Sequence, residues 1–203
     1  MRGLFAAFAA AGAALLAPAV SAQADDEPKV EFTGFIADAP GNPGMHMIFA
    51  LSASKAPFWS SGASIMSERI PGRDFSGRVR LDFANLAAGD LAGLALFHDT
   101  DHWLTIQVEP IAPATLIAVR LHDGPGGVTA GRLIYTTALS GSFAGKVRLR
   151  IDGSQGKARL MFAEEYGLWQ ILAEDVPLPF PAEARPELVL FATDGADPAP
   201  PRN

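Results

Sequence analysis

Two histidines and two aspartates lie within five consecutive residues, in the segment HDTDH. If the three residues between the histidines form a hairpin loop, His98 and His102 become cross-strand neighbours with Cβ atoms about 4.5 to 5.5 Å apart. Two imidazoles and a carboxylate could hold a transition metal, and Asp99 with Asp101 could instead ligate calcium. Hairpin tips favour Asp and Thr in any case, and no distal Glu completes a calcium loop. The pattern favours a turn without a metal. The alternatives that stay open are a bound calcium and a metal site formed by His98, Asp99, Asp101 and His102.

Glycoside hydrolysis needs two carboxyl groups that face each other across a sugar, roughly 5 to 10 Å apart. Glu164 and Glu165 are adjacent, and neighbouring residues on a strand point to opposite faces, whereas in a turn they point to solvent. We therefore interpret this pair as a hairpin tip. The sequence contains no nucleophile elbow, no Walker loop and no dinucleotide-binding glycine motif. A non-catalytic protein is favoured, and no catalytic residue is predicted.

Alternation along the segment WLTIQVE predicts a core face and an opposite face formed by Trp103, Thr105, Gln107 and Glu109. The segment LIAVRLH adds Arg120 and His122 to the opposite face. An aromatic ring beside planar hydrogen-bonding groups suits a sugar, whose C–H face stacks while its hydroxyls need donors and acceptors. The carbohydrate-binding candidates are Trp103, Thr105, Gln107, Arg120, His122 and, from the loop KAPFWSS, Trp59. The alternative is that Trp103 packs under a loop, as large aromatic residues commonly do.

Composition narrows the class of ligand. The 203 residues include 16 basic and 22 acidic ones, for a net charge of −6, and no cysteine. Such a surface repels polyanions, and no basic stripe occurs, so a nucleic-acid partner is not expected. The absence of cysteine excludes disulfides and a thiol nucleophile. A neutral ligand fits this composition better.

The N-terminus has the pattern of a secretory signal peptide: one arginine, then an apolar run from Leu4 to Val20, then small residues at Ala22 and Ala24. We expect cleavage after Ala22 or Ala24 and a periplasmic or secreted bacterial protein. No later apolar run is long enough to span a membrane. The predicted organisation is a leader over 1–24, a single domain over 25–195 and a flexible tail over 196–203.

The rest of the chain predicts an all-β protein. Segments rich in β-branched and aromatic residues alternate with Gly, Pro, Asp and Asn clusters, which is typical of a sandwich. In the segments RVRLDF and VRLRI the apolar residues should face the core and the arginines water. Further strands are predicted at 30–36, 45–52, 63–67, 115–122, 132–137, 157–162, 168–172 and 188–193. About ten or eleven strands favour two packed antiparallel sheets.

Three passages carry a family resemblance: AGLALFHDTDHWLTIQV (92–108), KVRLRIDGSQGKARLMFAEEYGLWQIL (146–172) and ELVLFATDG (187–195). They resemble the core hairpin, the strand-turn-strand passage and the closing strand of the concanavalin A-like domain that ends family 43 glycoside hydrolases, the β-xylosidase group. The resemblance covers about residues 58–195 and implies a jelly-roll sandwich. In that family a five-bladed propeller carries the catalytic carboxylates. The likeness covers the sandwich alone, so hydrolysis is not implied, and residues 30–51 do not align with the family's opening strands.

The sequence thus predicts a non-catalytic, carbohydrate-associated β-sandwich, and the resemblance implies pentose-containing glycans such as xylan or arabinan. One alternative is a protein interaction or assembly module without a sugar ligand, whose partner could be a propeller hydrolase. A second alternative is a glycoside hydrolase whose site is not recognisable in the sequence.

Overall fold

The computed structural model describes residues 29–38, 45–59, 64–70, 72, 74–125, 131–140 and 145–194. The predicted leader and tail lie outside these residues. The described parts form twelve strands: β1 Lys29–Asp38, β2 Met45–Ser52, β3 Ser64–Arg69, β4 Phe75–Asp82, β5 Leu91–Asp99, β6 His102–Ile111, β7 Ala114–Asp123, β8 Arg132–Ala138, β9 Lys146–Ser154, β10 Lys157–Ala163, β11 Gln170–Pro177 and β12 Glu187–Thr193. Within the same residues, no helix is long and apolar enough to cross a membrane.

The strands form two six-stranded sheets. The first sheet has the order β11-β10-β9-β4-β1-β2, and the second sheet has the order β3-β12-β5-β6-β7-β8. Neighbouring strands within both sheets pair antiparallel. The predicted concanavalin A-like sandwich is confirmed. The strands that contain residues 30–51 extend the first sheet, because β1 pairs with both β4 and β2.

One core lies between the sheets and follows the predicted alternation. In β4 and β9 the residues Val79, Leu81, Val147, Leu149 and Ile151 are buried in this core. The arginines between them are only partly buried on the outer face of the first sheet. The second sheet contributes alternate residues of β6 to the same core, namely Leu104, Ile106 and Val108.

One predicted strand differs from the structure at its start. Residues 168–172 were predicted as a strand, whereas β11 begins at Gln170 and runs to Pro177. The Arg148 guanidinium donates hydrogen bonds to the carbonyl oxygens of Glu164 and Gly167. These bonds hold residues 164–167 in a turn, so the strand starts only after that turn.

Candidate functional site

The outer face of the second sheet carries the residues predicted to bind sugar, and this face is largely covered. Trp103, Thr105 and Gln107 lie on the side of β6 opposite the main core, as predicted. Trp103 and Gln107 are each only 2% exposed, and Thr105 is fully buried. Trp103 therefore packs under a loop, which is the alternative that the sequence left open.

The loop that covers Trp103 follows β2 and is anchored to the end of β12. The Ser54 N–H donates to the carbonyl of Ala192 at 3.1 Å, and the Asp194 N–H donates to the carbonyl of Ser54 at 2.9 Å. Ser54 and Thr193 thereby form an isolated parallel bridge. Four residues further along, Phe58 reaches the sheet and is 5% exposed.

Aromatic rings fill the space under this loop. We call the buried residues Phe58, Ala95, Trp103, Val189 and Phe191, with the partly buried Trp59, Leu91 and Phe97, the outer cluster. The indoles of Trp59 and Trp103 are nearly parallel, at 8°, with centroids 5.2 Å apart. Phe58 meets Trp103 edge-on at 5.2 Å, and His122 stacks on it at 5.4 Å. These are the offset-stacked and T-shaped geometries that aromatic pairs prefer.

A line of hydrogen-bonded polar side chains continues along β6 from the outer cluster. The Thr105 hydroxyl donates to Gln107 Oε1 at 2.9 Å, and Gln107 Nε2 donates to Glu109 Oε1 at 2.7 Å. Arg120 of β7 closes the line with two bonds, from Nε to Glu109 Oε1 at 2.7 Å and from Nη2 to Oε2 at 3.2 Å. We call these four residues the polar line. Glu109 was placed on this face by the alternation but was not among the sugar-binding candidates.

Register explains how Arg120 reaches Glu109. Arg120 lies opposite Thr105, and the next outward position of β7 is Ala118, opposite Gln107. The methyl side chain of Ala118 leaves room for the guanidinium to extend along the strand. Among the described residues, no buried side-chain nitrogen or oxygen lacks a hydrogen-bond partner. The polar line is therefore internally satisfied, as a buried network must be if it is to stabilise the fold.

The six sugar-binding candidates thus fall into two groups. Trp103, Thr105 and Gln107 are buried and support the face from beneath. Trp59, Arg120 and His122 are partly exposed and lie where a ligand could touch them. A ligand on this face would contact the partly exposed group directly. The buried group would hold those side chains in position.

Gly93 gives a direct test of how tightly the polar line is packed. Gly93 is on β5 and lies opposite Gln107 of β6. A Cβ built on Gly93 would lie 2.3 Å from the Ile106 carbonyl oxygen and 2.7 Å from the Cα of Gln107. We expect Gly93→Ala to lower the free energy of unfolding by roughly 1–3 kcal/mol, because backbone atoms cannot move aside. Urea denaturation measures this. Gly124→Ala, where no atom lies within 4 Å, is the matched control, and an equal loss in both variants would contradict the argument.

The hairpin tip between β5 and β6 corrects the predicted pairing of the histidines. Phe97 lies opposite Trp103, and the next pair is Asp99 with His102. The loop therefore has two residues, and His98 is the extra residue of a bulge. The prediction that His98 lies opposite His102 is wrong, because a bulge shifts the register. The two imidazole centroids are 6.4 Å apart.

Asp99 organises this tip. Its Oδ1 accepts hydrogen bonds from His102 Nδ1 at 2.7 Å and from the Asp101 N–H at 2.9 Å. Partial burial raises the pKa of the Asp99 carboxyl. The hydrogen bonds from His102 and Asp101 and the electrostatic interaction with His102 and His98 outweigh this effect, so the net pKa lies below the usual value. The described residues contain no group of three or more His, Asp or Glu side chains able to hold a metal ion. Calcium at Asp99 and Asp101 stays a prediction.

The adjacent acidic pair lies in the turn between β10 and β11, as expected. Glu165 forms an ion pair with Arg80 of β4. The Glu164 carbonyl accepts a bond from Arg148 Nε at 3.1 Å. Both residues thus fasten this turn to the first sheet.

Residues 49–178 match the family described as the β-xylosidase C-terminal concanavalin A-like domain, GH43_C2. No curated protein matches the sequence at a significant level.

Three solved structures show the same fold. A GH43 glycoside hydrolase engineered to display endo-xylanase and exo-arabinofuranosidase activity has a TM-score of 0.59 and 18% identity, over 72% of this chain and 31% of the enzyme. The xylan β-1,4-xylosidase from Bacillus halodurans has a TM-score of 0.58 and 14% identity, over 81% and 32%. The GH43 protein BlXynB from Bacillus licheniformis has a TM-score of 0.61 and 16% identity, over 81% and 32%. The chain therefore corresponds to about a third of the length of these enzymes.

Proposed function

Because the chain belongs to the family of β-xylosidase C-terminal concanavalin A-like domains, we propose that it is a secreted, non-catalytic module that binds neutral, pentose-containing glycans such as xylan or arabinan. The ligand class follows the related enzymes, one of which is a xylan xylosidase. The leader pattern of residues 1–24 supports secretion.

The observation that carries the proposal is the partly exposed Trp59 ring, which lies parallel on the buried Trp103 ring. His122 also stacks on Trp103. A sugar presents an apolar C–H face to such a ring and hydroxyls to its polar neighbours. Arg120 and His122 are partly exposed polar side chains on the same face. The outer cluster and the polar line hold these groups in place, so little side-chain entropy is lost on binding.

A non-catalytic role is supported by how the carboxylates near these surfaces are used. Glu109 is held by Gln107 and by both nitrogens of Arg120 that reach it. Glu165 is paired with Arg80. A carboxylate fixed between cationic and amide donors is poorly placed to shuttle a proton or attack a sugar.

Affinity electrophoresis in gels containing xylan or arabinan tests the proposal. We expect the wild type to be retarded by at least one of these neutral glycans. We expect Trp59→Ala to lose that retardation while keeping a cooperative thermal transition, because the ring is only partly buried. Tyr166→Ala, which removes an exposed aromatic ring from the turn between β10 and β11, should behave like the wild type.

Two results would contradict the proposal. One is a folded wild type that is not retarded by any pentose glycan. The other is release of reducing sugar from xylan or arabinan, which would identify a hydrolase instead.

A second candidate function is docking to a separate catalytic chain. It is favoured by exposed apolar side chains in the segment that leads into β11 and at the start of that strand: Tyr166 is 93% exposed, Leu168 89% and Ile171 55%. Large exposed apolar groups that lie close together mark interaction surfaces. Co-elution with a family 43 catalytic domain, lost in a Tyr166→Ser/Leu168→Ser variant, would support this role.

A further inference from the structure

Four arginines form a cluster on the outer face of the first sheet, whereas the polar line belongs to the second sheet. They pair directly across β4 and β9, Arg78 with Arg150 and Arg80 with Arg148. Like charges placed directly opposite each other destabilise an antiparallel pair. We call these four residues the arginine cluster.

Acidic residues are interleaved with the basic ones on β4 and β9. The outer faces of β4 and β9 carry five basic side chains, the four arginines and Lys146, against two acidic ones, Asp82 and Asp152. Ion pairs join Arg150 to Asp152 at 2.8 Å, Lys146 to Asp82 at 3.7 Å, and Arg80 to Glu165 from the neighbouring turn. On these two strands the basic side chains thus outnumber the acidic ones, in a chain whose net charge is −6.

An aromatic ring lies directly over the cluster. The Arg148 guanidinium carbon is 4.8 Å from the centroid of the Trp169 ring, and that of Arg150 is 5.8 Å away. Both distances are within the range of a cation–π contact. Trp169 is held at this position because Arg148 also fastens the preceding turn through the Glu164 and Gly167 carbonyls.

The cluster remains accessible. The side chains of Arg80 and Arg150 are 39% and 29% exposed. Tyr166, in the same turn as Glu165, is almost fully exposed. Guanidinium groups and aromatic rings are thus offered together on one surface.

We propose that the arginine cluster and Trp169 bind the carboxylate-bearing sugar residues of an acidic glycan. A guanidinium fork matches a carboxylate with two parallel hydrogen bonds. An aromatic ring beside it takes the apolar face of the same sugar. The interleaved Asp152 and Glu165 would repel a continuous polyphosphate, whereas widely spaced carboxylates can meet individual arginines. This site lies on the opposite sheet from the proposed neutral-glycan site and does not depend on it.

Polygalacturonate is the probe, because it carries a carboxylate on every sugar and contains no pentose. We expect it to retard the wild type in affinity electrophoresis at low salt, and we expect the retardation to weaken as salt is raised. The variant Arg78→Gln/Arg150→Gln should bind at least about tenfold more weakly, since hydrogen bonds to charged groups are strong. Trp169→Ala should also weaken binding, although it leaves the charge unchanged.

The control is Arg69→Gln/Arg132→Gln. It removes the same charge from exposed side chains of β3 and β8, which lie in the second sheet. We expect its affinity to remain within about twofold of the wild type, because surface charges away from the site contribute little. Thermal unfolding of every variant confirms that the sheet is intact.

Three outcomes would overturn the proposal. The first is that polygalacturonate does not retard the wild type, and the second is that the control variant loses as much affinity as Arg78→Gln/Arg150→Gln. The third is that Trp169→Ala binds polygalacturonate as tightly as the wild type does, while dextran sulfate displaces polygalacturonate as well as free polygalacturonate does. The last would show a surface that binds polyanions without regard to sugar. Trp59→Ala separates this proposal from the previous one, because it should abolish retardation by neutral glycans and leave retardation by polygalacturonate unchanged.

Discussion

Replacing Trp103 with alanine is expected to lower the free energy of unfolding by about 3–5 kcal/mol, which is the usual cost of removing a large aromatic ring from a core. The ring is 2% exposed and contacts Phe58, Trp59 and His122. Its removal would leave a cavity that the loop cannot fill while Ser54 holds it to β12. Guanidinium denaturation, followed by tryptophan fluorescence and by circular dichroism, measures the change.

The size of that loss distinguishes packing from exposure. Trp103→Phe should recover part of it, since a smaller ring keeps some of the contacts. Tyr166→Ala removes a ring that is 93% exposed and should change the free energy of unfolding by no more than about 0.5 kcal/mol. A Trp103→Ala variant as stable as Tyr166→Ala would show that the outer cluster does not form in solution.

The second large effect is expected at the buried ion pair. Arg120→Met would leave the Glu109 carboxylate, whose side chain is 8% exposed, without its cationic partner. Removing one member of a buried pair typically costs about 3–5 kcal/mol, because the remaining charge is poorly solvated. Chemical denaturation at neutral pH measures this loss.

The loss should be reversible by a second substitution. Arg120→Met/Glu109→Gln removes both charges, while Gln107 can still donate to the oxygen at position 109, so most of the stability should return. Arg132→Met is the control. Arg132 Nη2 and Asp123 Oδ2 are 3.7 Å apart, and the two side chains are 63% and 58% exposed. Such surface ion pairs contribute about 0–1 kcal/mol to stability. Equal losses in Arg120→Met and Arg132→Met would mean that Glu109 is solvated after all.

Much of the sandwich follows from the sequence because its strands obey a period of two. Val79 and Leu81 of β4 face the core and Arg80 the outside, as the alternation predicts. The same rule places Trp103 and Gln107 on one face of β6. It describes only the direction of each side chain relative to its own strand.

Two properties of the site could not be obtained in this way. Burial of Trp103 depends on a loop that precedes β3 and is fastened to β12, which is remote in sequence. The position of His98 depends on a bulge, which arises from the pairing of β5 with β6 and not from either strand alone. Both are consequences of tertiary contacts, and alternation carries no information about them.

The arginine cluster is an intermediate case. Alternation in the segments RVR and RLR predicts that their arginines point outward. Only the register of β4 against β9 places Arg78 opposite Arg150. Long-range antiparallel pairing of this kind has no local signature in either segment. The cluster therefore forms only when β4 and β9 pair in the first sheet.

The position of β12 has a consequence for how the chain folds. β12 is the last strand among the described residues, yet it lies between β3 and β5 in the second sheet and pairs with both. β3 therefore cannot join the second sheet until a segment more than a hundred residues later has arrived. Contacts so distant in sequence slow folding, and during synthesis β3 must wait with unpaired edges. We infer that the earlier strands spend this interval as a partly assembled sheet, at risk of pairing with other chains.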